Sequence, residues 1–299
     1  AGAGRVISVV NMKGGVGKST TSLMLAEHDA AVGGKRVLVV DLDAQANVSA
    51  CLVGEQRWAA LSSARRTALE YFQPLMGRSG GRSLPPLGPF LEPNASDVIG
   101  AEQVTLLASS PLLGPFERDL IAELVQRHRA VWKVQERVAK RMRDALDQAR
   151  EEFDLIVIDC PPGISLLAEA AIRLSDALIM PTIPDFMSRF GIGIFHTTAR
   201  RWLGASLEHR SRTGGKILVL PTKYQDELAL HRSELAALKA NPRFDVLDVA
   251  IPQHAQIARA AMYATTRRDI QSKYGECLGV VRRLSDEVER RLGALEAAA

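Results

Sequence analysis

Only three cysteines occur in the 299 residues, Cys51, Cys160 and Cys277, and no pair has C-x-x-C spacing. That scarcity excludes a disulfide framework and a cysteine zinc site, and it makes the three thiols core or near-core residues. The six histidines show no metal-ligand spacing. No apolar run reaches the roughly 18 residues of a membrane span, and no basic-then-apolar opening marks a signal peptide, so a cytoplasmic protein is expected. There is no internal repeat. Net charge is only +4, a mild excess that suits contact with nucleic acid or acidic lipid and by itself selects neither. What the chain does have is a hydrophobic content of 46%, enough for a substantial core.

The most informative stretch is Val6–Thr21, VISVVNMKGGVGKSTT. It reads as a buried strand over Val6–Val10, a glycine turn over Lys13–Gly17 and a helix beginning at Lys18. Three glycines in four positions let backbone N–H groups converge on an anion, and the helix points its positive end at the same place. Lys18 then reaches terminal phosphates and Ser19 offers a hydroxyl to their magnesium. The general pattern G-x-x-x-x-G-K-[ST] is incomplete, because Met12 stands at its first glycine and is followed by a second lysine, Lys13.

Downstream, Thr20–Val32 reads as a helix covering a sheet face, and Arg36–Asp41, RVLVVD, as a strand buried on both faces that delivers Asp41 and Asp43 to its C-terminal end. In open parallel sheets that edge is the ligand crevice. Residues 54–103 give little pattern: Arg65–Phe72 suits a helix, and Gly77–Pro93 is dense in glycine and proline and predicts a long surface loop. Val104–Ala108 resumes a strand. Pro115–Glu152 is helical in period, with an inner stripe of Val131, Val134, Val138, Met142 and Ala145. Its outer side carries seven Lys/Arg and one acid between Arg127 and Arg143, with Arg129, Lys133, Arg137 and Arg141 at i,i+4 spacing. Such a run is commonly a solvated face, and it also suits contact with phosphates. Asp154–Asp159, DLIVID, ends in an aspartate suited to a hydrated magnesium ion, and Pro161-Pro162-Gly163 forces a loop beside the terminal phosphate. Further strands are expected at Ala177–Pro181, Lys216–Leu220 and Val246–Ile251. Repeated β–α alternation predicts a single doubly wound, mostly parallel α/β domain over 1–299, with an insertion around 54–103 and a C-terminal helix at 279–299.

Four motifs in order, KGGVGKSTT at Lys13–Thr21, DLDAQAN at Asp41–Asn47, LIVIDCPPG at Leu155–Gly163 and PTIPDFMSRFGI at Pro181–Ile192, resemble the deviant Walker A ATPases of the ParA/MinD superfamily. The likeness is nearest to short ParA-type partition and positioning ATPases that lack an N-terminal DNA-reading domain. It implies that ATP phosphates lie on Gly14, Gly15, Val16, Gly17, Lys18, Ser19 and Thr20, with Ser19, Asp41, Asp43 and Asp159 arranging magnesium. It further implies that Asp43 orients the attacking water, that Lys13 reaches the nucleotide of the opposite subunit in an ATP-sandwiched homodimer, and that adenine lies near Thr222–Lys223 and Pro252–His254.

The same resemblance implies slow, partner-stimulated ATP hydrolysis, non-specific binding to double-stranded DNA with nucleoid association, and a ParB-like or other adaptor on the cargo. Two departures stand out. The family's D-P-Q-G-N reads Asp43-Ala44-Gln45-Ala46-Asn47, and arginines that follow an I-P pair in many relatives are Gln253 and Gln256 here. Arg259, Arg267, Arg268 and Lys273 are the expected substitutes at the DNA surface. A MinD-like membrane helix is the alternative, since Val281, Leu284, Val288, Leu292 and Leu295 form an apolar stripe. Gly279–Ala299 nonetheless carries four arginines, four acids and no aromatic residue, which favours packing on the protein over a membrane. An iron–sulfur carrier with the same loop would need a companion for Cys160, which the sequence lacks.

Overall fold

The computed structural model describes residues 4–76, 84–128, 131–207 and 217–297. Seven strands, β1 (Arg5–Val9), β2 (Val37–Asp41), β3 (Val104–Leu107), β4 (Leu155–Asp159), β5 (Ala177–Thr182), β6 (Ile217–Pro221) and β7 (Asp245–Val246), form one sheet in the order β3-β2-β4-β1-β5-β6-β7. Every pairing is parallel. Such strands need helical crossovers. The crossovers are made by α1 (Lys18–Ala31), α2 (Asn47–Ser63), α3 (Ala68–Phe72), α4 (Leu113–His128), α5 (Val131–Glu152), α6 (Leu166–Leu174), α7 (Phe186–Leu207) and α8 (Ala229–Ala240), and α9 (Ala255–Ala260), α10 (Ile270–Tyr274) and α11 (Leu278–Ala297) follow the last strand.

Alternation along each strand divides the core in two. Ile7, Val9, Val37, Val39 and Val157 point toward α1, α2 and α11, whereas Val6, Leu38, Val40, Ile156 and Ile158 point toward α4, α5 and α6. In α5 the buried stripe is Val134, Val138, Met142, Leu146 and Ala149, with Ala145 partly covered; the Val131 side chain and Arg129 fall outside the described residues. In α11, Val281, Leu284, Val288 and Leu292 are buried in the core, so the stripe that a membrane would need is already used inside the protein. Among the described residues no helix is long and apolar enough to cross a membrane.

Two readings are refined. Residues 54–63, which gave little pattern, continue α2 through Gly54, whose backbone (φ 74°, ψ 161°) kinks the helix, and a Cβ there would meet the Tyr263 ring at 2.6 Å. Glu92 bridges Leu106 antiparallel, tying residues 84–103 to the sheet edge; 77–83 of the expected loop lie outside the described residues. The apolar run Val246–Ile251 contributes only Val246 to a strand, although Leu247 N and Ile251 N still donate to Val219 O and Pro221 O of β6 and Leu247, Val249 and Ile251 are buried in the core.

Candidate functional site

β4 lies between β1 and β2, which brings three strand ends to one edge. Across the β2–β4 ladder Asp41 is the register partner of Asp159, and across β1–β4 Val9 is the partner of Asp159. The glycine turn leaves β1 directly above them. Gly15 and Gly17 have φ of 72° and 94°, the left-handed region that favours glycine. The N–H groups of Gly14, Gly15, Val16 and Gly17 have no protein acceptor among the described residues, and a Cβ built on Gly14 or Gly15 would meet nothing within 4 Å. That is an open hollow lined by free donors at a helix N-terminus, the form that binds phosphate.

Beneath the hollow the polar groups are tightly held. Ser19 Oγ and Ser22 Oγ each donate to Asp159, at 2.8 Å to Oδ2 and 2.8 Å to Oδ1. Asp41 Oδ2 accepts from Ser49 N at 3.0 Å and Ser49 Oγ at 2.6 Å, and its Oδ1 accepts from Asp43 N at 3.0 Å. Asp43 Oδ1 accepts from Gln45 N at 2.9 Å. Lys18 is buried with its Nζ donating to Lys13 O at 3.2 Å. Lys13 points the other way. Its side chain is 41% exposed at the rim, with Nζ 3.3 Å from Ser188 Oγ and 3.5 Å from Asp185 Oδ1, both at the start of α7.

Asp41 and Asp159 are fully buried. Burial pushes both carboxyls above the usual range, Asp159 to about 6 even though Ser19, Ser22 and Lys18 pull it down, and the Asp159 charge raises Asp41 further. A magnesium nucleotide fits this donor set. Magnesium keeps waters and phosphates as ligands and takes few protein groups, so Ser19 with nearby Asp159 and Asp41 suffices.

The pH dependence follows. The folded-state value of Asp159 lies above that of an unfolded aspartate, so its contribution stabilises the unliganded protein at low pH and is lost as pH rises through about 6. A bound cation competes with that proton. The thermal stabilisation that ATP and magnesium give is therefore expected to be smaller at about pH 5.5 than at about pH 7.5, read by scanning fluorimetry. Equal stabilisation at both would mean the carboxyls are ionised throughout.

Several bracing residues were missed by sequence reasoning. Asn11 donates through Nδ2 to Pro181 O, accepts Lys13 N on Oδ1 and accepts Gly163 N on its carbonyl, linking the glycine turn, β5 and the Pro-Pro-Gly loop. Ser22 was legible in principle, since it lies three residues after Ser19 on one helix face. Thr222, expected near adenine, donates from Oγ1 to Val16 O at 2.8 Å, while Lys223 is exposed with φ 49° and Tyr224 bridges Pro252. Ala46, where relatives have glycine, takes the left-handed conformation (φ 52°, ψ 31°) at the start of α2.

One of the expected DNA residues, Lys273, requires correction. Lys273 is wholly buried, its Nζ donating to Glu27 Oε1 at 2.7 Å and Asp97 Oδ1 at 2.6 Å. A buried ammonium needs carboxylate partners more than it needs phosphate, and here it has two. Arg268 is paired with Asp97 and Arg267 with Glu102; Arg259 is exposed and donates to Gln256 Oε1.

A parallel sheet with a strand–glycine turn–helix at its centre, a buried loop lysine and strand-end aspartates defines a phosphate-loop nucleotide-binding protein. The family model described as "AAA domain" matches residues 4–204, and the chain belongs to that family, within the ParA/MinD superfamily of ATPases. The chromosome partitioning protein ParA of Caulobacter vibrioides is 29% identical over 262 residues, covering 87% of this chain and 84% of that protein. The chromosome-partitioning ATPase Soj of Thermus thermophilus is 27% identical over 288 residues, 96% of each chain. In structure, a Cyanothece McdA–ATP complex superposes with a TM-score of 0.66 at 18% identity over 98% of both chains, which establishes the shared fold.

Proposed function

We propose that this chain is a ParA-type ATPase that binds ATP and magnesium, dimerises on ATP, holds DNA without reading its sequence and positions an intracellular cargo. A cargo-bound adaptor, ParB-like in role, stimulates hydrolysis and so releases the protein. The observation that carries this reading is the opposed placement of the two loop lysines: Lys18 is buried inside the hollow, while Lys13 stands on its rim. A rim lysine has no task at its own phosphate cradle that Lys18 does not already perform, and it is placed to reach a nucleotide presented by a second copy.

Bound ATP and magnesium supply the scissile phosphoryl group and the charge neutralisation that its transfer requires. The chain's own residues do the rest. The Gly14–Gly17 amides orient the phosphates, Lys18 and Ser19 fix their register, and Asp43 accepts the proton of the attacking water. Lys13 adds positive charge once it leaves Ser188 and Asp185. The Lys13→Ala variant is expected to keep its affinity for ATP within about threefold while losing ATP-dependent dimerisation, because it removes only a contact made in trans. Analytical ultracentrifugation with a non-hydrolysable ATP analogue, ADP or no nucleotide checks this. A wild-type protein that stays monomeric in every state would defeat the dimer reading.

A further inference from the structure

Helix α5 segregates its charge along its length. From Lys133 to Arg143 it has five cations and one acid, Glu136, and from Asp144 to Glu152 four acids and one cation, Arg150. Lys133/Arg137 and Arg137/Arg141 at i,i+4, and Arg137/Lys140 and Lys140/Arg143 at i,i+3, are like charges, offset by opposite pairs such as Glu136/Lys140, Lys140/Asp144 and Arg143/Asp147. The two acids of the final turn, Glu151 and Glu152, also sit at the helix end that disfavours them.

The basic face is rigidly displayed. The opposite side of α5 is sealed into the core by Val134, Val138, Met142 and Leu146, and Gln135 Nε2 donates to Glu169 Oε2 of α6 at 2.7 Å. Lys133, Lys140 and Arg143 are exposed, and Arg137 and Arg141 complete the row half-buried, Arg141 lying 3.8 Å from Asp144. The row spans about 15 Å, the axial length of about four phosphates along one strand of a duplex. Trp132, 61% exposed, stands at one end with the Lys133 ammonium 5.5 Å from its ring centroid.

We infer that this face of α5, through Lys133, Arg137, Lys140, Arg141 and Arg143, is the surface by which the nucleotide-loaded protein grips the phosphate backbone of double-stranded DNA. The inference rests on the DNA-tethering reading above and relocates the contact from the 259–273 segment, where Lys273 is wholly buried and Arg268 is held by the buried Asp97. A duplex suits the row better than an anionic membrane. Membrane-surface helices bury an apolar face beside their basic one, and the apolar face of α5 already lies in the core.

The test uses the full chain and the triple variant Lys133→Glu/Lys140→Glu/Arg143→Glu, with Arg259→Glu as a comparison. Affinity for a long duplex of arbitrary sequence is measured with ATP and magnesium across a salt series, alongside ATP-dependent dimerisation and flotation with phosphatidylglycerol vesicles. The triple variant is expected to dimerise normally, to lose about 100-fold or more in DNA affinity and to flatten the slope of log K against log salt by about 2 to 3. Normal ATP-dependent dimerisation is the folding control, because glutamates at 140 and 143 also meet Glu136, Asp144 and Asp147 at helical spacing. If the triple variant binds DNA within twofold of wild type while Arg259→Glu does not, the α5 inference is wrong and the DNA reading stands. A wild type that ignores DNA even at low salt removes both. Loss of vesicle binding with DNA binding intact would assign the face to membrane instead and overturn the inference.

Discussion

The Asp43→Ala variant is expected to bind ATP and magnesium almost as well as the wild type and to hydrolyse it about 10²–10⁴-fold more slowly, the usual worth of a positioned proton acceptor. That range corresponds to about 2.7–5.5 kcal/mol of transition-state stabilisation. The structure supports separating binding from chemistry. Among the described residues Asp43 makes no hydrogen bond to Lys18 or Ser19, and its carboxylate accepts from the Gln45 amide of its own loop. Its main chain is fixed by Asp41, so removing the carboxylate leaves the loop anchored. Asp43→Asn is expected to fall as far, since an amide still accepts from Gln45 N but cannot take a proton from water. Single-turnover hydrolysis with a separate nucleotide-binding measurement distinguishes the steps. A variant that keeps its rate would transfer the role to another group, and one that loses ATP binding would make Asp43 a binding residue.

Lys273→Ala is expected to destabilise the protein by about 3–5 kcal/mol, the cost of stranding buried carboxylates. For a chain of this size that lowers the melting temperature by about 5–8 °C. Lys273, Arg268, Glu27 and Asp97 form a balanced group of two cations and two carboxylates, and Tyr274 Oη and Ser96 Oγ also donate to Glu27. Burial raises the Glu27 carboxyl even against Lys273, so the pair is held at a desolvation cost. Because the group joins α1, which starts at the phosphate hollow, to Asp97 and α10, its loss loosens the site's own helix. Lys273→Met combined with Glu27→Gln and Asp97→Asn is expected to regain only part of the stability, since the Lys273 pairs are removed together but Arg268 loses the Asp97 carboxylate. Chemical denaturation of the single and triple variants checks both. A Lys273→Ala protein as stable as wild type would mean that water reaches the cluster.

The parts of the site that were legible in the sequence are those in which a function needs neighbours along the chain. A phosphate hollow needs glycines, a lysine and a hydroxyl within one strand–turn–helix, and Lys13–Thr20 contains all of them. Asp41 and Asp159 were readable because each ends an apolar strand, and a parallel sheet places all strand ends at one edge. Ala46 was visible as a departure from the family motif, but its left-handed backbone was not. The helix across Gly54 escaped notice because its strongest breaker lies mid-helix, where Tyr263 fills the space beside the kink.

The sequence by itself determined the phosphate loop, the strand-end aspartates and the alternation that yields a helix-flanked parallel sheet, because periodicity and turn chemistry act over a few residues. Only the tertiary structure decided which charges are available. Lys273 reads as a surface cation and is buried against Glu27 and Asp97, 246 and 176 residues away. The residues of α5 have the same composition as an ordinary solvated run and become a fixed basic row once the other face is packed. Whether a charge faces solvent or another charge depends on distant parts of the chain brought together by burial, and local sequence does not encode that distance.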